Sequence, residues 1–121
     1  MAEHNELGQA GEEAAVEYLR QHDYTIRHRN WRKGNLELDI VAAKDDELVI
    51  IEVKTRKSTL FSLPQEAVNA QKVRRTVIAA ATYMKFFGID DPVRFDIISV
   101  VGDAGNFKVE HIKEAFYPPI W

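Results

Sequence analysis

A chain of 121 residues with a net charge of −3 has length for one hydrophobic core and not for two. Its 45% hydrophobic and 29% charged residues are the balance of an ordinary globular domain, which excludes a disordered or fibrous chain. The absence of cysteine excludes a disulfide framework, a thiolate metal site and a cysteine nucleophile.

The opening stretch MAEHNELGQAGEEAA is acidic and lacks a basic segment leading into an apolar core, so no signal peptide is expected. No apolar run approaches membrane-spanning length, and the cytoplasm is the expected location. Residues 6–22 read as a helix in which Leu7, Ala10, Ala14, Tyr18 and Leu19 recur at helical spacing, with Asn5 as its N-cap. Gly8 and Gly11 cost a helix roughly 1 kcal/mol each, which predicts close approach to a neighbour. Glu13 and Glu17 face solvent in this reading, whereas Glu12 is either an acid favoured by the helix dipole or a functional carboxylate.

Tyr24–Trp31 alternates as a strand. One face carries Tyr24, Ile26, His28 and Asn30; the other carries Thr25, Arg27, Arg29 and Trp31, a phosphate-contacting edge. His4, His22, His28 and His111 have no zinc-ligand spacing and read as structural or surface residues.

The stretch Leu36–Arg56 organises the rest. Residues 36–43 and 48–54 are rich in Ile, Leu and Val around the polar break Lys44-Asp45-Asp46-Glu47, the pattern of a β-hairpin. A loop of two residues or of four sets Ala43 opposite Leu48, and counting back sets Asp39 opposite Glu52 and Glu37 opposite Lys54, all four on one face. Opposed carboxylates in such strands repel at a Cβ separation of about 5 Å. Either this face is solvated, with Glu37 and Lys54 as a cross-strand ion pair, or the acids hold a divalent cation of the magnesium or manganese type. In the second case Lys54 places positive charge against a developing phosphorane or orients a water.

Thr55–Leu63 is a loop of small and basic residues ending at Pro64, followed by a short turn over Gln65–Val68. Asn69 then caps a helix from about Ala70 to Phe87, stopped by Gly88, with Val73, Val77, Ala80, Ala81, Met84 and Phe87 as its buried stripe. Gln71, Lys72, Arg74 and Arg75 crowd its first two turns, where free N–H groups suit phosphate. Val93–Val101 is an apolar strand beside the hairpin, with Asp96 in a structural role paired to Arg94 or another arginine. Asp103–Asn106 is a turn and Phe107–Ile112 an edge strand. The tail AFYPPIW either packs back on the sheet or docks on a partner chain.

The charge is unevenly spread. Two spans, Arg20–Lys33 and Lys54–Arg75, hold 11 of the 16 Lys and Arg and only two acids, Asp23 and Glu66, so a basic surface is expected on an acidic chain. Arg27, Arg29, Arg32, Lys33, Arg56, Lys57, Gln71, Lys72 and Arg75 are its candidate DNA contacts. The order helix, three strands, helix, two strands places a crossover helix between two parallel strands of an otherwise antiparallel sheet, an α/β architecture with one domain over residues 1–121.

Asp39 followed by Glu52-Val53-Lys54 resembles the metal-site signature of the PD-(D/E)XK, restriction-endonuclease-like nucleases, with Leu38 where that signature has proline. Gly8 to Glu12, Tyr18-Leu19, Arg29-Asn30, Glu37 to Asp39, Glu52 to Arg56, Glu66 to Val68, Lys72 and Arg94 to Asp96 resemble, in order, the uncharacterised bacterial YraN-like family, over about residues 8–116. That family is similar to archaeal Holliday-junction resolvases. One departure is Asn35-Leu36, where the family usually keeps a glycine. The resemblance implies a restriction-endonuclease-like core with a five-stranded mixed sheet. It also implies hydrolysis of DNA, with branched structures as candidate substrates, by Glu12, Asp39, Glu52 and Lys54. Mg²⁺ or Mn²⁺ would be held by Asp39, Glu52, the Val53 carbonyl and Glu12, and a homodimer would supply two sites. The alternative expectation is a nucleic-acid-binding or adaptor module that keeps the site without turnover.

Overall fold

Asp45 and Asp46 adopt φ of 51° and 64°, the left-handed pair required by a two-residue hairpin turn whose twist matches its strands. That turn fixes the register of the central hairpin. Ala43 pairs with Leu48 and Ile40 with Ile51, as the sequence predicts.

The computed structural model describes residues 2–58 and 69–117, and side chains from Glu6 onward. In chain order the elements are α1 (Ala2–Gln21), β1 (Thr25–Lys33), β2 (Leu36–Lys44), β3 (Glu47–Arg56), α2 (Ala70–Phe87), β4 (Val93–Asp103) and β5 (Asn106–Phe116). The sheet runs β1-β2-β3-β4-β5, antiparallel throughout except for the parallel pair β3/β4 that α2 connects. This is the mixed α/β order expected of a restriction-endonuclease-like core. Among the described residues no helix is long and apolar enough to cross a membrane.

Helices cover both faces, so the inner strands are buried on both sides and read as continuous apolar runs. Ala15, Val16 and Leu19 of α1 pack on Ile40, Ala42, Val49, Ile51, Ile98 and Val100. Across the sheet, Ala79, Ala80 and Tyr83 of α2 pack on Val41, Leu48, Ile50 and Phe95.

Several local expectations are corrected. The first helix begins at Ala2, so Asn5 lies inside it instead of capping it. Its buried stripe is Ala15, Val16 and Leu19, with Ala14 and Tyr18 only at the margin. In α2 the buried residues are Ala79, Ala80 and Tyr83, of which only Ala80 belongs to the expected stripe, whereas Ala81 and Phe87 of that stripe are exposed. Asn69 does cap this helix, accepting from the Lys72 N–H, and Gly88 ends it at φ 66°. Strand β1 does not alternate simply, because its register slips between Ile26 and His28. Arg27 and His28 consequently both reach the Tyr83 hydroxyl on α2's face, while Ile26 packs on α1's side. The loop expected from Thr55 starts later, since Thr55 and Arg56 belong to β3, and Ala115 and Phe116 of the expected tail belong to β5, with Phe116 stacked on Phe95. Residues 59–68 and 118–121 of the loop, turn and tail lie outside the described residues.

Gly11 is where α1 meets β3. A Cβ there would stand 2.1 Å from Thr55 Oγ1, so only glycine allows this approach, whereas a Cβ on Gly8 would meet open space. Close approach therefore explains Gly11 and not Gly8. Gly11→Ala should cost about 2 kcal/mol by overpacking, in spite of its better helix propensity. Part of that loss should return with Thr55→Ala, and a urea midpoint equal to wild type in Gly11→Ala would refute the contact.

Asp96 is fully buried on β4. Arg94 donates to it through two nitrogens at 2.9 and 2.8 Å, His111 Nε2 at 2.7 Å and the Glu114 N–H at 3.0 Å. The network continues to the Tyr24 hydroxyl, 2.6 Å from Arg94, and to Tyr18, 3.2 Å from His111 Nδ1. The sequence reading paired Asp96 with Arg94 but missed His111 and both tyrosines. Burial pushes the Asp96 carboxyl up, yet the bonds from His111, Arg94 and Glu114 outweigh it and hold the carboxyl below its ordinary value. A depressed folded pKa stabilises the fold above the unfolded carboxylate value, near 4, and that stability is lost as the pH falls through the folded value. Asp96→Asn should lose about 3 kcal/mol at pH 7, and its acid unfolding below about pH 4 should be shallower than that of wild type in a pH series of urea melts.

Candidate functional site

The β2/β3 ladder stops at Ile40 and Ile51. Beyond it Leu36–Leu38 pair only with β1 and Glu52–Arg56 only with β4, so the sheet forks. Asp39 stands at the crotch of the fork, where its Oδ2 accepts the Val53 N–H at 2.9 Å. The side chain thereby replaces the backbone partner that β2 no longer supplies. Glu52 follows the last paired residue, and both carboxylates line one cleft of about 570 Å³ together with Glu12, Val53, Lys54 and Lys72.

The fork corrects the expected pairing of Glu37 with Lys54. Glu37 lies past the split, directly opposite Arg32 on β1, and makes an exposed ion pair with it at 3.4 Å. Lys54 instead faces the cleft.

Burial and the neighbouring Glu52 carboxylate push the Asp39 carboxyl up to about 7, against the opposing pull of the Val53 N–H and Lys72. Lys72, in the first turn of α2, forms an ion pair with Glu52. The sequence reading gave Lys72 as a candidate DNA contact and did not pair it with Glu52. Positive charge held at the fork is thus already present in the chain. Two carboxylates kept this close are hard-oxygen donors of the kind a divalent cation takes, although Lys72 already sits on one of them. The fit is incomplete: among the described residues no group of three or more Asp, Glu or His is placed to hold a metal ion.

Glu12 accounts for that shortfall. Its carboxylate accepts from Asn30 Nδ2 at 3.1 and 3.0 Å and from Arg29 Nε at 3.2 Å, and Arg29 also reaches Glu13 at 3.0 Å. Asn30 has φ 52°, a left-handed backbone that asparagine tolerates better than most residues. Arg29 is therefore bound to α1, on the side that alternation kept for Tyr24, Ile26 and Asn30, and Asn30 is a positioning residue on that same side. Neighbouring arginine and asparagine both turned to one carboxylate are what a buried-edge acid needs, and that demand was the available signal.

The other candidate contacts are dispersed. Arg27 donates to the Tyr83 hydroxyl at 3.1 Å. Arg32 lines the cleft, and Lys33 sits 5.3 Å from the centre of the Phe86 ring. Arg56 is half-buried at the end of β3, while Lys57 and Gln71 are exposed. Arg75 lines a second cavity, of about 220 Å³, that shares Asp39, Glu52 and Lys72 with the first and runs on past Asn35, Leu36 and Thr76.

Residues 11–100 match the Uncharacterised protein family UPF0102. The chain belongs to this family. A UPF0102 protein of Bacteroides fragilis is 72% identical over all 121 residues of both chains. One of Parabacteroides distasonis is 45% identical over 98% of each chain, and one of Flavobacterium psychrophilum 44% identical over 97% of this chain and 98% of its own. These relatives are named for the family alone and bring no activity with them. The matched UPF0102 span takes in Gly11, Glu12, the whole fork, Lys72 and Asp96.

Ionised Asp39 weakens the fold it sits in. Its folded pKa lies above the unfolded value, so the cost is absent below about pH 4 and grows as the pH rises to about 7. Asp39→Asn should accordingly be more stable than wild type at pH 8, by about 2 kcal/mol, with the gain vanishing at pH 4. Thermal melts across this range test it, and a pH-independent difference would contradict the assigned cause.

Proposed function

We propose that this chain is a metal-dependent endonuclease that hydrolyses phosphodiesters of DNA. The observation that carries the reading is the fork, where Asp39 and Glu52 converge with Lys54 and Lys72 in one cleft. Asp39 and Glu52 would hold Mg²⁺ or Mn²⁺, with the Val53 carbonyl as a further ligand. A bound ion of this kind activates water and neutralises charge on a phosphoryl group.

The chain's own residues divide the remaining work. Lys54 orients the attacking water or stabilises the pentavalent transition state. Lys72 neutralises Glu52 and is free to turn to a phosphate oxygen once that charge is balanced otherwise. Glu12, held by Arg29 and Asn30, shapes the α1 wall of the cleft and positions the cluster. A homodimer would bring two such clefts to a branched DNA.

A nucleic-acid-binding module without turnover is the second reading. What favours it is that Glu12 and Glu52 are each bound to cations of the chain itself.

Labelled single-stranded, duplex, flap and four-way-junction DNA incubated with Mg²⁺ or Mn²⁺ separates the two. Wild type should cut, and Glu52→Ala/Lys54→Ala should lose about a hundredfold or more of that rate. Calorimetry should find Mg²⁺ binding lost in Asp39→Asn. DNA binding without cutting by wild type would select the module instead, and equal cutting by wild type and variant would mean contamination.

A further inference from the structure

We infer that the face made by β1 and the C-terminal half of α2 holds an unpaired DNA strand leading away from the cleft, with a base stacked on Phe86. The inference rests on the proposed action on DNA and adds which form of DNA the site engages.

Charge comes first. Strand β1 and helix α2 carry Arg27, Arg29, Arg32 and Lys33, and Lys72, Arg74, Arg75 and Lys85, half of the chain's 16 basic residues, and neither element contains an acid. The two are packed together through His28, Trp31 and Tyr83, so Arg27, Lys33 and the cations of α2 share one side of the sheet, whereas Arg29 turns to α1 across it and Arg32 to the cleft. A second copy of the chain docked there would set cations against cations. A polyanion is the complementary occupant.

Phe86 selects the kind of polyanion. It is 64% exposed, more than a phenylalanine needs to be on a helix with a buried face. Its edge-on neighbour Phe87 lies 4.8 Å away and rests in turn on Tyr83 at 4.6 Å and on His28 at 5.1 Å. The exposed ring is thus anchored through Phe87 to a fully buried one, and Lys33 stands over it. A rigid aromatic face beside cations is how sequence-tolerant single-strand binders hold bases, whereas the bases of a duplex are stacked on one another and present no face.

The path is continuous as well. The smaller cavity leaves Asp39 and Glu52 between the β1/β2 hairpin tip and α2, past Arg75 and Thr76. From Thr76 to Phe86 is about 15 Å along the helix. A strand whose phosphate lies at the fork would therefore reach Phe86 a few nucleotides on.

Fluorescence anisotropy with labelled oligo-dT and with a blunt duplex tests this on the full chain. Phe86→Ala should lower the ratio of oligo-dT to duplex affinity about tenfold. Phe86→Trp should restore it, and the new indole emission should be quenched by oligo-dT. An unchanged ratio in Phe86→Ala would overturn the inference while leaving the nuclease reading intact, whereas no binding of either DNA by wild type would remove both. A wild-type dimer, seen by light scattering, that Phe86→Ala converts to monomer would assign the face to a second copy and overturn the inference too.

Discussion

Splitting a sheet between two of its inner strands leaves backbone donors with no partner, and an unpaired buried N–H costs about as much as a lost hydrogen bond. At this fork the debt falls on Val53, and the Asp39 side chain meets it. The cleft depends on that one bond, because it lets β2 and β3 part without destabilising the strands that flank the opening. The same bond places a carboxylate where Glu52 must face it. Structure and chemistry are therefore supplied by a single side chain.

Burial pushes the carboxyls of two aspartates the same way, upward, and their neighbours decide opposite outcomes. Asp96 is surrounded by donors from β4 and β5, and its charge is stabilised. Asp39 receives one backbone N–H and faces another acid, and its charge is disfavoured. The first arrangement is that of a structural anchor, closing the irregular β4/β5 pairing through the Glu114 N–H. The second stores unfavourable electrostatic energy in a cleft.

Much of this was legible in the sequence. The hairpin register followed from Asp45-Asp46 and the alternation around it, and the order of helices and strands followed from period and punctuation. The Asn69 and Gly88 boundaries of α2 were likewise local signals. Other features are set by contacts that no period encodes. The bulge at Arg27 exchanges the faces that alternation gives His28 and Arg29, and the fork removes Glu37 from Lys54 although the register up to Ile40 is as counted. Lys72 meets Glu52 only because α2 crosses back over the end of β3. The Asp96 network joins residues from α1, β4 and β5 and the turn before β1, separations at which sequence proximity carries no information.

Gly11 fits against Thr55 with no room for a methyl group, and the next residue in the helix is Glu12. A seat with so little clearance works as an index mark, fixing both the rotation and the axial position of α1 relative to β3. Sliding the helix by a residue would swing Glu12 through about 100° and drive a side chain into the strand. The distance from the Glu12 backbone to the fork is thus a constant of the fold, and any adjustment of that carboxylate toward Asp39 and Glu52 has to come from its own side-chain torsions.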